Sequence, residues 1–381
     1  MRTTWSTLTG IAIVLLGVTS GGFASADEKP ESKQAAADGA ASAAPVQLIT
    51  ALTGLNQPLG LAVQPETDAV YIAESGAGRV VRLAGDKVDP VISDFPVEKP
   101  ADGPFGPVGP TSLVFFDKTQ LFVGEGAKPA GGDLVRHYKI AEANQPALKF
   151  NASEQQFGPL NAEASFAADG GFFGLTATKF AIYAGCTGDA KKGWIARSVL
   201  NGGKWTELRR FVATQDAIDS VGPHAATTSP RGEIVLGLRG QWSDETDSQI
   251  AFLNSNTGRL LLTQPAGLRD VVGVAFSPKT SQLYVVDLSA SKPSEGGLFR
   301  LDSARTEKGL TIKATKIVAI ERPTALAFNS DGTLFVASLG PAVAADAKPN
   351  GHLYRVPPDY RAGNAEKLDA NATCHFSLFG N

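Results

Sequence analysis

One histidine and three carboxylates stand at positions from which side chains could do acid–base chemistry. His224 begins an apolar run in VGPHAATTSP, where an imidazole could act as a general base. Glu74, Glu125 and Asp287 each end a short apolar run, in VYIAE, LFVGE and LYVVD. If these side chains meet at one surface, they could bind a ligand or transfer protons there. Alternatively, a carboxylate that recurs in successive segments could hold loop amides, and the histidine could simply line a cavity.

Two arginines add positive charge to the same candidate site. Arg239 follows the run IVLGL and is close to Trp242, and Arg322 directly precedes PTALAF. With the carboxylates, these side chains would bring acidic and basic groups together at the same site. We assign no catalytic residue, and the predicted ligand-binding set is His224, Arg239, Arg322, Glu74, Glu125 and Asp287. Further polar residues at similar positions are Gln57, Thr111, Arg269 and Asp270.

A segment of about fifty residues recurs six times and determines which elements carry these side chains. Its clearest copies begin at Pro58, Gly109 and Arg322, and each runs as apolar strand, polar turn and second apolar strand. Self-similarity at this period is typical of β-propeller blades. The sequence therefore predicts an all-β fold, a six-bladed β-propeller over residues 46–357.

The repeat also predicts where the candidate residues meet. In a propeller, the loops that enter the innermost strands share one face with the loops that follow the second strands. We call the central part of that face, around the channel, the channel mouth. The predicted starts of the innermost strands are Pro58, Pro110, Phe172, Pro223, Val272 and Pro323. Two long connections, residues 95–109 and 151–171, are expected on the same face, as recognition loops or as tolerated insertions.

The start of the repeat region predicts how the ring closes. The segment VQLITALTGLNQPLGLAV, which begins at Val46, is similar to ATKIVAIERPTALAF between units five and six. Residues 46–52 therefore look like an outer strand that precedes the first blade. Added to the last blade, this strand would join the two ends and cover an exposed sheet edge.

The segment YIAESGAGRVVRL resembles the NHL-type repeat, in which an apolar strand ends in an acidic residue before a glycine-containing turn and an arginine. The resemblance covers most of residues 46–357 and implies a six-bladed propeller of the TolB-like or gluconolactonase-like superfamily. Quinoprotein sugar dehydrogenases share this fold. The calcium ligands of gluconolactonase-like enzymes are not matched, because the corresponding positions are Leu59, Thr111, His224, Gly273 and Thr324. No metal site is predicted, and the cofactor stays unknown.

The ends of the chain predict export. Residues 1–26 have the features of a signal peptide: Arg2, an apolar run and an Ala-Ser-Ala cleavage site. Residues 27–45 are predicted to be a disordered leader and residues 358–381 a C-terminal tail. We expect a periplasmic or secreted monomer, with no membrane insertion after signal cleavage. Without Arg2, 34 basic residues face 38 acidic ones, and no basic tract occurs, so a nucleic-acid partner is not expected.

The two cysteines, Cys186 and Cys374, allow one disulfide in an oxidising compartment. It would pin the tail across one face of the propeller; two buried thiols are the alternative. For function, the favoured hypothesis is a non-catalytic propeller that binds a small molecule or a protein partner at the channel mouth. The alternative is a periplasmic enzyme of the lactonase or quinoprotein sugar-dehydrogenase type.

Overall fold

The computed structural model describes residues 46–100, 103–126, 128, 131–141, 145–186, 192–307, 309–342 and 348–357. Six β-sheets follow one another along this part of the chain, and the innermost strand of each contacts those of its two neighbours around a closed ring. The predicted six-bladed β-propeller is confirmed. The predicted signal peptide, leader and C-terminal tail lie outside the described residues.

Each blade is a meander of four main strands. The first described strand is β1 (Ile49–Leu55). Blade 1 contains β2 (Pro58–Val63), β3 (Val70–Glu74), β4 (Arg79–Ala84) and β5 (Lys87–Ser93). Blade 2 contains β6 (Pro110–Phe115), β7 (Gln120–Glu125), β8 (Val135–Lys139) and β10 (Gln155–Phe157), with β9 (Leu148–Lys149) in the connection. Blade 3 contains β11 (Phe172–Thr178), β12 (Ala181–Cys186), β13 (Trp194–Asn201), β14 (Lys204–Trp205) and β15 (Arg209–Ala213).

The second half of the ring follows the same plan. Blade 4 contains β16 (Pro223–Thr228), β17 (Ile234–Leu238), β18 (Gln249–Leu253) and β19 (Leu260–Pro265). Blade 5 contains β20 (Val271–Phe276), β21 (Leu283–Asp287), β22 (Gly297–Thr306) and β23 (Gly309–Ala319). Blade 6 contains β24 (Pro323–Phe328), β25 (Leu334–Ser338) and β26 (Gly351–Val356). The described helices are one α-helix, α1 (Thr214–Ile218), and three 3-10 turns, Ser75–Ala77, Phe150–Ala152 and Pro293–Glu295.

Apolar packing between the blades explains why the second strands read as continuous apolar runs. Every residue of β3, β17, β21 and β25 is buried, because each of these strands is covered on both faces by the neighbouring blades. The outer strands are partly exposed, as β23 shows. The core is therefore a ring of layers between blades, and the candidate polar side chains lie at strand ends and in the adjoining loops.

Strand β1 closes the ring as the sequence predicts, although it spans Ile49–Leu55 and not residues 46–52. It pairs antiparallel with β26, from Ile49 opposite Arg355 to Leu55 opposite Gly351, and supplies the outer strand of blade 6. The starts of the innermost strands match the prediction, apart from β20, which begins at Val271. Residues 151–171 are not a simple loop, since β10 within them forms the outer strand of blade 2.

Candidate functional site

The six innermost strands place their second residue around the channel at the mouth face. These residues are Leu59, Thr111, Phe173, His224, Val272 and Thr324. The third residue is small in every blade because the strands approach closely there; a Cβ added at Gly60 would lie 2.8 Å from the carbonyl oxygen of Thr111. The channel below contains a partly open cavity of about 60 Å³, lined mainly by apolar side chains and backbone. Polar chemistry is therefore restricted to the mouth.

His224 is buried at the mouth with aromatic rings around it. Its ring centroid lies 4.5 Å from that of Phe173 and 5.9 Å from that of Trp242. Its Nδ1 is buried and makes no hydrogen bond of ordinary geometry, and the nearby backbone of His224 and Val272 acts to raise the pKa of the ring. Burial, and then the positive charge of Arg239, lower the pKa of His224 to about 3, so the imidazole is neutral at pH 7. A neutral ring with an unpartnered nitrogen can exchange a proton with a bound molecule.

Arg239 lies beside this histidine, after strand β17. Its guanidinium carbon lies 4.1 Å from the centroid of the Trp242 ring, a cation–π contact, and its Nη1 donates a hydrogen bond to the carbonyl of Gly240 at 2.7 Å. The same charge acts on Asp270, at the entry to blade 5. Arg239 therefore links two titratable groups electrostatically.

Asp270 is a buried carboxylate at the mouth whose burial is not visible in the sequence. Its side chain is fully buried; Oδ2 accepts a hydrogen bond from the Ala290 N–H at 2.7 Å, whereas Oδ1 has no partner. Burial, assisted by the negative charge of Asp287, raises the pKa of Asp270 to about 6. Its type and its entry position are visible in the sequence, but the burial that perturbs it depends on the packed loops.

The three predicted carboxylates are tied to their own loops. Glu74 accepts hydrogen bonds from the Asn56 N–H at 3.0 Å and from Nε of Arg79 at 2.6 Å. Asp287 accepts from the N–H groups of Arg269, Asp270 and Ser289, at 3.3, 2.8 and 3.0 Å. These contacts agree with the structural alternative from the sequence, in which the recurring carboxylate holds the amide groups of loops.

Glu125 is likewise bonded to its own loop, and it also forms ion pairs with two basic side chains. It accepts from the Leu134 N–H at 3.3 Å and pairs with Lys128 and Arg136, and its side chain is almost completely buried. Among the described residues, no hydrogen bond or ion pair joins Glu125, Glu74 or Asp287 to His224. Their predicted role in ligand binding stays a prediction.

Arg322 and Cys186 complete the predicted residues. Arg322, half-buried with a left-handed backbone (φ 50°), has a pKa lowered by burial, and no carboxylate of the described residues pairs with it. Cys186 ends β12 and is fully buried, and burial raises the pKa of its thiol. Cys374 lies outside the described residues, so the disulfide stays a prediction.

One contact at the mouth was not predicted. The connection between blades 1 and 2 places Phe105 over the channel, 5.9 Å from both Phe173 and His224 and 5.7 Å from Trp242 between ring centroids. The proline- and glycine-rich sequence of residues 95–109 signals a long loop on this face. It does not say which side chain the loop inserts.

Within the described ranges, no group of three or more histidine, cysteine, aspartate or glutamate side chains could hold a metal ion. No helix among the described residues has the length and apolar character needed to cross a membrane.

Comparison with known proteins identifies the fold. No family model matches the chain, and no curated protein matches it by sequence. Among solved structures, it is similar to a putative oxidoreductase (glucose dehydrogenase) of Thermus thermophilus, with a TM-score of 0.56 and 14% identity over 82% of this chain and 100% of that one. For the apo form of the soluble aldose sugar dehydrogenase of Escherichia coli, the TM-score is 0.53 and the identity is 14%, over 82% of this chain and 99% of that one. For the PQQ-bound aldose sugar dehydrogenase of Streptomyces coelicolor, the TM-score is 0.52 and the identity is 13%, over 83% of this chain and 99% of that one.

Proposed function

We propose that the protein is a propeller enzyme for small molecules, with its acid–base centre at the channel mouth and a sugar or sugar lactone as substrate. One observation carries this proposal: His224 and Asp270 are both buried, and each has one unpartnered atom, Nδ1 and Oδ1. Buried titratable groups with shifted pKa values are typical of acid–base centres, and the charge of Arg239 acts on both of these groups. The shared fold with sugar dehydrogenases supports the substrate class.

The chemistry follows from the charge of each group. Neutral His224 accepts a proton at Nδ1 from a substrate hydroxyl or a water molecule, and the guanidinium of Arg239 stabilises the negative charge that develops. Asp270 carries a proton below pH 6 and is then the donor. Since burial is the main cause of the low pKa of His224, entry of water or substrate raises this pKa and makes the imidazole a stronger base.

The quinone cofactor of one neighbour does not fit the mouth as it stands. PQQ is a planar tricarboxylate, and pockets for molecules of that size measure several hundred Å³. The channel cavity is about 60 Å³, and Phe105 and Trp242 occupy the space above it. We therefore route no step through a quinone.

A second candidate function is ligand or protein binding without catalysis. It is favoured by the loop hydrogen bonds of Glu74, Glu125 and Asp287 and by the ring of Phe105 at the mouth. In both cases a periplasmic or secreted location is part of the proposal and is supported by the predicted signal peptide.

The experiment is a screen of the purified protein against a panel of aldoses and their lactones, with and without added calcium and PQQ. If the proposal holds, a lactone or an aldose is turned over, and His224→Gln and Asp270→Asn each lower kcat/KM by about 100-fold or more. Glu207→Gln, at an exposed site in blade 3, is the control and leaves the rate unchanged. Binding by calorimetry without turnover favours the second candidate. If the protein shows neither binding nor turnover of any compound in the panel, both candidate functions are contradicted.

A further inference from the structure

Residues 103–107, which we call the mouth plug, place a side chain of the protein itself where a ligand would enter. The ring of Phe105 is only 7% exposed and lies nearly parallel to that of Phe173, with an interplanar angle of 20°. It meets Trp242 edge to face. With Leu59 and Val272 it belongs to one apolar cluster. Phe105 thus fills an apolar site, which we call its seat, that has the size of one phenyl ring and lies between the innermost strands of several blades.

The plug is held at the mouth by the side-chain amide of Gln57. Gln57 Oε1 accepts a hydrogen bond from the Gly106 N–H at 2.7 Å, and Nε2 donates to the carbonyl of Pro107 at 2.9 Å. Gln57 has a left-handed backbone (φ 48°) directly before β2, which directs its side chain over the mouth. One glutamine therefore binds two consecutive residues of the plug.

The stem of the loop is fixed independently of this amide. Glu98 and Val108 exchange two backbone hydrogen bonds, at 2.9 and 2.7 Å, and Val108 is fully buried. At the other end, Gly103 lies against the indole of Trp242, so close that an added Cβ would be 3.0 Å from Nε1. The bridge between Glu98 and Val108 lies outside the plug, so it does not depend on the position of Phe105.

We propose that Phe105 is a built-in competitor, which must leave its seat before the six-membered ring of a ligand can take its place against Phe173, His224 and Trp242. The seat accommodates one phenyl ring, so it selects a molecule with a single flat ring. An aromatic ring has this shape, and a pyranose chair, although not flat, can stack one C–H face on the same aromatic rings. This inference rests on the proposed function only for the location of the ligand.

The test measures competition without altering the seat. Gln57→Ala removes both hydrogen bonds to the plug and keeps every ring at the mouth. Two probes, phenol and methyl β-D-glucopyranoside, are titrated against wild type, Gln57→Ala and Phe105→Ala by calorimetry and tryptophan fluorescence. Gln215→Ala is the matched control, because this glutamine makes a side-chain hydrogen bond to Asp219 and none to the plug.

The expected result is that at least one probe binds roughly tenfold more tightly to Gln57→Ala than to wild type, since the fraction of open molecules rises. The Gln215→Ala protein should match wild type. Phe105→Ala alone is not decisive, because any emptied cavity can take a small ring. The probe that responds distinguishes an aromatic ligand from a sugar.

Equal affinity in wild type and Gln57→Ala overturns the proposal, and so does a lack of binding to both Gln57→Ala and Phe105→Ala. If Gln57→Ala does not fold, Gln57→Glu replaces it, since a carboxylate loses the donor to Pro107 but keeps the side-chain length. Binding alone is measured, so absence of turnover in the enzyme screen does not decide this test.

Discussion

Thr324 of the last blade donates a hydrogen bond from Oγ1 to the carbonyl oxygen of Pro58 in the first blade, over 2.6 Å. Both residues are buried, at the starts of β24 and β2. The contact joins the two ends of the ring at the channel, and the pairing of β1 with β26 joins them at the rim. The ring is thus closed at its inner and at its outer edge.

Deletion of residues 46–53 should lower the thermal stability sharply. It removes most of β1 and exposes the edge of β26, whose backbone groups then lose their partners. We expect the melting temperature to fall by roughly 10 °C or more. A variant without residues 27–44 is the control and should melt like the full chain. An unchanged melting curve for the first deletion would contradict closure by this strand.

Asp270→Asn should stabilise the protein more at pH 7.5 than at pH 4.5. The folded pKa of about 6 exceeds the ordinary 3.8, so the group favours folding below pH 3.8 and this advantage is lost as pH rises through 6. Asparagine has no charge to bury and can still accept from the Ala290 N–H. We expect a gain of about 1–3 kcal/mol at pH 7.5, by urea unfolding. An identical gain at both pH values would refute the assignment.

His224→Gln should weaken the acid sensitivity of the protein. The pKa of His224 falls from 6.5 to about 3 on folding, so its contribution to stability is complete above pH 6.5 and is lost as pH falls towards 3. In that window, this group alone reduces the free energy of unfolding by about 1.4 kcal/mol per pH unit. Urea unfolding from pH 6.5 to 4 should show a shallower slope in the variant. Parallel slopes would show that His224 is solvated.

Glu125→Gln should destabilise the fold through its buried partners. Arg136 is 6% exposed at its side chain and would keep its charge without a carboxylate. Removing one member of a buried pair costs about 3–5 kcal/mol, whereas an exposed pair contributes about 0–1 kcal/mol. The control is Glu207→Gln, since Glu207 and Arg209 are both mostly exposed. Similar unfolding midpoints for the two variants would argue against a structural role for Glu125.

The sequence predicts the scaffold well because each blade repeats the same local pattern. Apolar second strands such as β3 and β21 are recognisable wherever two faces are covered. The mouth is harder, since its chemistry depends on contacts between blades. His224 stands out as a residue type that occurs at one entry only. The insertion of Phe105 and the burial of Asp270 follow from loop placement, which no local pattern encodes.

Strand β9 has a consequence for how this chain can be engineered. Leu148 and Lys149 leave blade 2 and pair in parallel with Ile92 and Ser93 of blade 1, and Lys149 also pairs with Asp94. The outermost strand of blade 1 is therefore supplied by chain that follows β8 of the next blade. A transplant of the first fifty-residue unit into another propeller would lose this strand, so the smallest exchangeable module here is the pair of blades.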